Sequence, residues 1–208
     1  MFKILKQFPI TITIALATVM VFLVPSLAEL TALDLERSLI SQIGQLFSCH
    51  LLHWSFNHLA WDWLMFVLVG AICELRSRRG YQAVLILSAI LIPVSVAYLV
   101  PTLGTYRGLS GIDTGIFVFA AVLLIEEAVQ LRNWPSAGFY AAMLVGLLGK
   151  TLFELTYGST MFVESANFTP VPVAHIAGAI VGVTVAVGRF LSATDSHNSS
   201  RIQHAVNS

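Results

Sequence analysis

Charge is scarce in this sequence. Eleven basic and 11 acidic side chains among 208 residues leave 11% charged and a formal net charge of zero, where soluble domains carry about 25%. Without a basic excess there is no electrostatic footprint for nucleic acid, and none is expected as a partner. Cysteine is nearly absent. Cys49 and Cys73 are too few for a disulfide-stapled miniprotein. An apolar fraction of 57% and a mean hydropathy of +0.82 exclude a disordered chain. A soluble chain of this length forms one modest core and has nowhere to hide so much apolar surface. The expected solvent is lipid.

In place of charge there are long apolar runs. A helix needs roughly 20 residues to cross about 30 Å of hydrocarbon. Six runs approach that length: 9–27, 54–73, 81–100, 110–125, 137–155 and 171–190. The first has a second reading as a secretory signal, because Lys3 and Lys6 precede it and Ser26-Leu27-Ala28 resembles a cleavage site. Five more runs follow, which makes a retained helix the simpler expectation. The expected fold class is all-α: a polytopic bundle of six membrane helices over 1–190, then a polar tail, 191–208, rich in Ser, Asn and His and without structure. With the N-terminus inside, Lys3, Lys6, Arg76, Arg78, Arg79, Arg132, Arg189 and Arg201 are cytoplasmic, against Arg37 and Arg107 outside. That asymmetry puts both termini in the cytoplasm. Cys49 and Cys73 then lie at opposite ends of the second run, ~36 Å apart at about 1.5 Å per residue, and form no bridge. The connection 28–53 is long, and the pattern Leu30, Leu33, Leu35, Leu39, Ile40, Ile43 predicts partly buried or interfacial helix.

An ionisable group inside a membrane run is expensive and by default marks function. The second run carries His58 and Asp62, with His50 and His53 just before it. The fourth carries Asp113, the fifth Lys150 and Glu154, and the sixth His175. Each has a plainer reading. Lys150 and Glu154, four apart, make an internal ion pair. Asp113, three after Ser110, has capping-box spacing. His50 reads as a solvated interfacial residue, and Glu74, ahead of Arg76, Arg78 and Arg79, as an interfacial cap and topology signal.

The fourth run is the informative one. Its 16 residues from Ser110 give ~24 Å of helix, too short to cross, with the inner end set by Glu126 and Glu127. Ser110 should therefore sit below the surface, with 102–109 dipping to meet it, which irregular backbone tolerates only when buried in protein or lining a watery cavity. Counted from the inner edges at Glu74, Glu126 and Arg189, His58, Ser110 and His175 lie ~24, ~24 and ~21 Å up their helices, one shared level. Gly111/Gly115 and Gly178/Gly182 have the small-xxx-small spacing that lets membrane helices approach closely. If those faces meet, Ser110 and His175 come within reach as nucleophile and base.

Gly108-Leu109-Ser110-Gly111, His175-x-x-Gly178-x-x-x-Gly182 and His53-x-x-x-x-His58, in this order and topology, resemble the rhomboid intramembrane serine proteases from about His50 to Phe190. The resemblance implies a six-helix rhomboid-like bundle with a short central fourth helix. Ser110 is then the nucleophile and His175 the general base, a dyad without a third member and without metal or cofactor. The Ser110 N–H and His58 hold the oxyanion, with support from Gly108 and Asp62. Two departures stand out. Asp62 replaces the asparagine common four residues after the oxyanion histidine; it is either protonated in its apolar setting or, the favoured reading, a carboxylate that accepts from His58 and orients it. Thr114 replaces the aromatic that often supports the catalytic histidine. These departures, with Gly149-Lys150-x-x-x-Glu154-x-x-x-Gly158, resemble the rhombosortase branch. That branch implies a bacterial inner membrane and single-span substrates with C-terminal Gly-Gly-type anchors.

Two other readings start from the same residues. A catalytically inactive rhomboid-like binding or quality-control protein is expected to lack Ser110 or His175, and this chain keeps both. A metal-dependent hydrolase or haem protein would use His50, His53, His58 and Asp62. His58 and Asp62 share a helix face, but His53 and His58, five apart, diverge by about 140° on an ideal helix, which is poor chelation.

Overall fold

The computed structural model describes residues 7–160 and 170–206, with side chains described up to residue 192. Lys3 and Lys6, which contribute to the expected orientation, lie outside the described residues.

The apolar runs fold as helices, with boundaries set by proline, glycine and capping side chains. Helix α1, Pro9–Leu23, begins on a proline, whose missing N–H costs nothing at a helix start. The expected straight run over 9–27 breaks at Val24. Pro25 cannot continue a helix and forces Val24 into extended geometry, so α2, Pro25–Thr31, leaves at 112° to α1. The stretch that follows holds β1, Leu33–Asp34, a 3-10 turn at Leu39–Gln42, helix α3, Ile43–Ser48, and a second 3-10 turn at Cys49–Leu51. Helix α4, Phe56–Arg76, starts where the Ser55 side chain accepts from the His58 N–H. Helix α5, Arg78–Leu99, follows after one residue, and β2, Thr105–Tyr106, pairs antiparallel with β1. Helix α6 is Ser110–Gln130. Helix α7, Trp134–Tyr157, is capped by Asn133 and ends at Gly158 in the left-handed region. Helix α8 is Pro172–Val206.

Among the described residues four helices, α4, α5, α7 and the first 21 residues of α8, are long and apolar enough to cross a membrane, and α1 with α2 makes a fifth if the bent pair counts as one span. This is a multi-pass membrane architecture. Phe139, Val145 and Leu148 of α7 are exposed, as a lipid-facing helix requires.

Two expectations are corrected. The fourth run continues five residues past Ile125, so α6 is 21 residues and ~32 Å long. Glu126 and Glu127 do not end it because each finds an arginine: Glu126 pairs with Arg189 at 2.6 Å, and Glu127 with Arg76. The tail expected to lack structure continues α8 to Val206. Nothing after Gly188 in that segment is a proline or glycine to stop it.

Helix α6 is the axle of the bundle. Ile112, Ile116, Phe119 and Leu123 bury one face, and Gly111, Val118 and Ala121 are buried on the others. The segment before it is fastened to the 28–53 stretch through β1–β2 and through Gly104, whose carbonyl accepts from the Leu35 N–H at 2.9 Å. Tyr106 and Leu109 are buried there, so this irregular backbone is covered by protein. Both cysteines are free and buried. At the far end, Glu74 accepts from the Ile10 N–H at 3.0 Å, the Thr11 N–H at 2.8 Å and the Thr11 hydroxyl at 2.9 Å. It caps α1 from another helix, a larger role than a topology signal.

Candidate functional site

Four helix ends converge at the end of the bundle opposite Glu74. Ser110 opens α6, and His58 lies in the first turn of α4. Glu154 stands three residues before the end of α7, and His175 three residues after the start of α8. All four line one cavity of about 740 Å³, together with Asp62, Asp113, Lys150 and Trp54.

The capping box expected from Ser110 and Asp113 does not form. Leu109 is already in helical geometry (φ −75°, ψ −19°) and takes the N-cap position, so Ser110 is inside the helix and caps nothing. Its hydroxyl is left for other work, and no N-cap side chain accepts from the first-turn N–H groups at this helix end. Both Asp113 oxygens lack a hydrogen-bond partner among the described residues. Thr114 turns its hydroxyl back to the Ser110 carbonyl at 2.9 Å.

Gly108 positions the turn into α6. Its φ of +125° is a region that side chains rarely adopt, and a Cβ there would come within 3.3 Å of the His58 ring. The Gly108 N–H donates to the Cys49 carbonyl at 3.2 Å, and its own carbonyl lies 3.3 Å from His50 Nδ1. His50 is therefore no solvated interfacial residue. It is buried, with Nε2 also 3.4 Å from the Ala89 carbonyl, and it ties the Ser110 turn to α5.

Beside this turn, α6 and α8 touch through glycine. A Cβ on Gly178 would strike the Gly111 carbonyl oxygen, and one on Gly182 the Gly115 carbonyl oxygen. The Gly111 position is closed in turn by the Ala174 carbonyl at 3.0 Å, next to His175. The two small-xxx-small faces thus lie against each other, with Ser110 and His175 adjoining the contact.

On the second wall, Asp62 Oδ2 is 3.2 Å from His58 Nε2 and 3.2 Å from His53 Nε2. Asp62 Oδ2 is placed to accept from either ring. A neutral imidazole has one N–H, so a His58 that donates to Asp62 offers a second donor only as imidazolium. The ideal-helix argument against His53 and His58 fails, because α4 starts at Phe56 and His53 lies ahead of it. One ligand atom each from His53, His58 and Asp62 fall within 4.8 Å of one another, a set that could hold a metal ion.

Helix α7 supplies what the sequence reading missed. Lys150 Nζ and Glu154 Oε1 pair at 2.7 Å, as their spacing predicts, but Glu154 Oε2 also lies 2.9 Å from His175 Nδ1. The signal that would have found it is depth. The two residues sit equally far from the facing ends of consecutive helices.

A family model for the rhomboid domain matches residues 41–192. No curated protein matches the chain. The matched segment is most of the sequence and contains every helix end that meets at the cavity, so the chain belongs to the rhomboid family of intramembrane serine proteases.

Proposed function

We propose that this protein is a serine endopeptidase in which Ser110 is the nucleophile and His175 the general base. The observation that carries the reading is the glycine contact of α6 with α8. It brings the helix end bearing Ser110 and the helix end bearing His175 to one cavity wall. In the reaction, Ser110 Oγ attacks a substrate backbone carbonyl while its proton passes to His175 Nε2. The carbonyl oxygen takes the electron pair and is held by the Ser110 N–H at the positive end of α6, with His58 across the cavity adding a second donor as imidazolium while Asp62 takes the other ring N–H. The C–N bond then breaks, His175 returns its proton to the leaving amine, and water repeats the sequence on the acyl-enzyme. Gly108 and Asp62 hold the turn and the His58 ring in place.

Six crossings, α1 and α4 to α8, rest on the apolar runs, and both termini in the cytoplasm on the distribution of basic residues. The Gly149-Lys150-x-x-x-Glu154-x-x-x-Gly158 pattern, Asp62 and Thr114 favour the rhombosortase branch. The substrates are then single-span proteins with C-terminal Gly-Gly-type anchors in a bacterial inner membrane, cut near the outer face. The retention of Ser110 and His175 favours an active enzyme over an inactive binding relative.

The test is Ser110→Ala in cells producing a Gly-Gly-tailed reporter, with the purified protein labelled by a fluorophosphonate. Wild type should cut the reporter and take the label, and S110A should do neither while keeping its thermal midpoint in detergent. Processing that continues in S110A would end the reading. His58→Ala should lower turnover by about 10²–10³, the usual cost of one oxyanion donor.

A further inference from the structure

A serine–histidine pair works only when the imidazole nitrogen facing the hydroxyl is free to accept its proton. A neutral imidazole carries one N–H, and whatever meets the other nitrogen decides which one carries it. In this protein the other nitrogen of His175 meets a carboxylate: Nδ1 lies 2.9 Å from Glu154 Oε2. Glu154 is 2% exposed, on a helix whose other residues mostly face outward. A carboxylate is rarely buried so completely without a task.

We propose that Glu154 is the positioning residue of the active site, so that Ser110, His175 and Glu154 act as a triad, with Lys150 holding the carboxylate in register. The proposal rests on the Ser110–His175 reading and deepens it. The two carboxylate oxygens are divided between two partners. Oε1 accepts from Lys150 Nζ at 2.7 Å, and Oε2 faces His175. With one oxygen pinned, the other cannot rotate away from Nδ1. Nδ1 and Oε2 are close but not aligned as a hydrogen bond, so the carboxylate acts first through its charge: it favours the proton on Nδ1, Nε2 keeps its lone pair for the Ser110 hydroxyl, and the imidazolium formed on proton transfer faces a fixed negative charge. Glu154 takes no proton itself, and its part is orientation and charge.

Lys150 also provides a test that a structural role for Glu154 would not pass. In Glu154→Gln, the ammonium has no use for an NH2 group, so it should keep the amide oxygen on its own side. The NH2 then faces His175 and donates to Nδ1, which drives the ring proton to Nε2, the wrong nitrogen for a base. Glutamine, the mildest change in shape, should therefore be worse than alanine, which leaves the tautomer free.

The experiment measures the rate of fluorophosphonate labelling of the purified full chain in detergent, for wild type, S110A, E154Q, E154A and E154D, with a thermal midpoint for each. E154Q is expected to label at least about a hundredfold more slowly than wild type, in line with the cost of a wrong tautomer in such triads. E154A should fall between the two, and E154D, which keeps a carboxylate, should be faster than E154A. Should E154Q fail to fold, the order of E154D and E154A still decides. Labelling of E154Q at the wild-type rate, with S110A unlabelled, would overturn the triad and leave the serine protease intact. Equal losses in E154Q and E154A that track a lowered thermal midpoint would overturn it too, as a purely structural effect. Absence of label on wild type would instead remove the reading on which the proposal stands.

Discussion

His50 is the side chain whose environment departs most from its apparent sequence context. It is fully enclosed between two backbone carbonyls and the edge of the Tyr106 ring, whose centroid is 5.8 Å away. A neutral ring can donate to only one of those carbonyls at a time. Burial lowers its pKa from 6.5 to about 4. The unfolded chain therefore takes up this proton first. The stabilisation from neutral His50 is fully present above pH 6.5 and is lost as pH falls toward 4. His50→Gln removes the titration and keeps a donor for the Gly108 carbonyl. The thermal midpoint of wild type in detergent should fall between pH 6.5 and 4 more steeply than that of H50Q, and parallel curves would refute the assignment.

At the scale of elements, close approach between α6 and α8 is a property of absent atoms. Gly178 and Gly182 lie against carbonyl oxygens of the facing helix, whereas a Cβ on Gly188, two turns further along α8, would meet nothing within 4 Å. Backbone cannot move aside as a flexible side chain can, so each added methyl must push the helices apart. Gly178→Ala and Gly182→Ala are expected to cost about 1–3 kcal/mol, as overpacking does in a tight core. Gly188→Ala should be neutral or slightly stabilising, since alanine favours helix over glycine. Denaturation of the three variants in mixed micelles checks the order. Separation of α6 from α8 also separates Ser110 from His175, so labelling should fall in G178A and stay unchanged in G188A. The break at Val24–Pro25 is an element-scale feature the sequence states openly in its proline, yet apolar run length alone carried the expected helix through it.

The whole molecule is fastened at the end away from the cavity. Glu74 joins α4 to the start of α1 and to Arg78, while Arg76–Glu127 and Arg189–Glu126 tie α4 and α8 to α6. Glu74 is the buried member of this group, its side chain wholly enclosed, so its loss strands two backbone N–H groups of α1. Hydrogen bonds to a charged group are worth about 1.5–3 kcal/mol. Glu74→Ala should cost at least that much and should expose the chain around Pro9 to limited proteolysis, whereas disrupting the half-exposed Arg76–Glu127 pair should cost under about 1 kcal/mol. A protease digestion time course on the two variants distinguishes them, and equal sensitivity would show that Glu74 does not hold α1.

Composition and run length by themselves determined that the chain lives in lipid as a set of helices, because lipid leaves backbone polar groups no other partners and roughly 20 apolar residues are needed to cross it. The motifs carried the family, and glycine spacing marked the faces that α6 and α8 present to each other. Local spacing also foresaw Lys150–Glu154 and His58–Asp62, since residues four apart on a helix must be neighbours. What required the tertiary structure was every contact between elements far apart in sequence: Glu74 on Thr11, His50 on Gly108, and Glu154 on His175. Sequence spacing measures distance along a helix but carries no information on how one helix is rotated toward another. Packing sets that rotation, and packing turned the second oxygen of Glu154 toward His175.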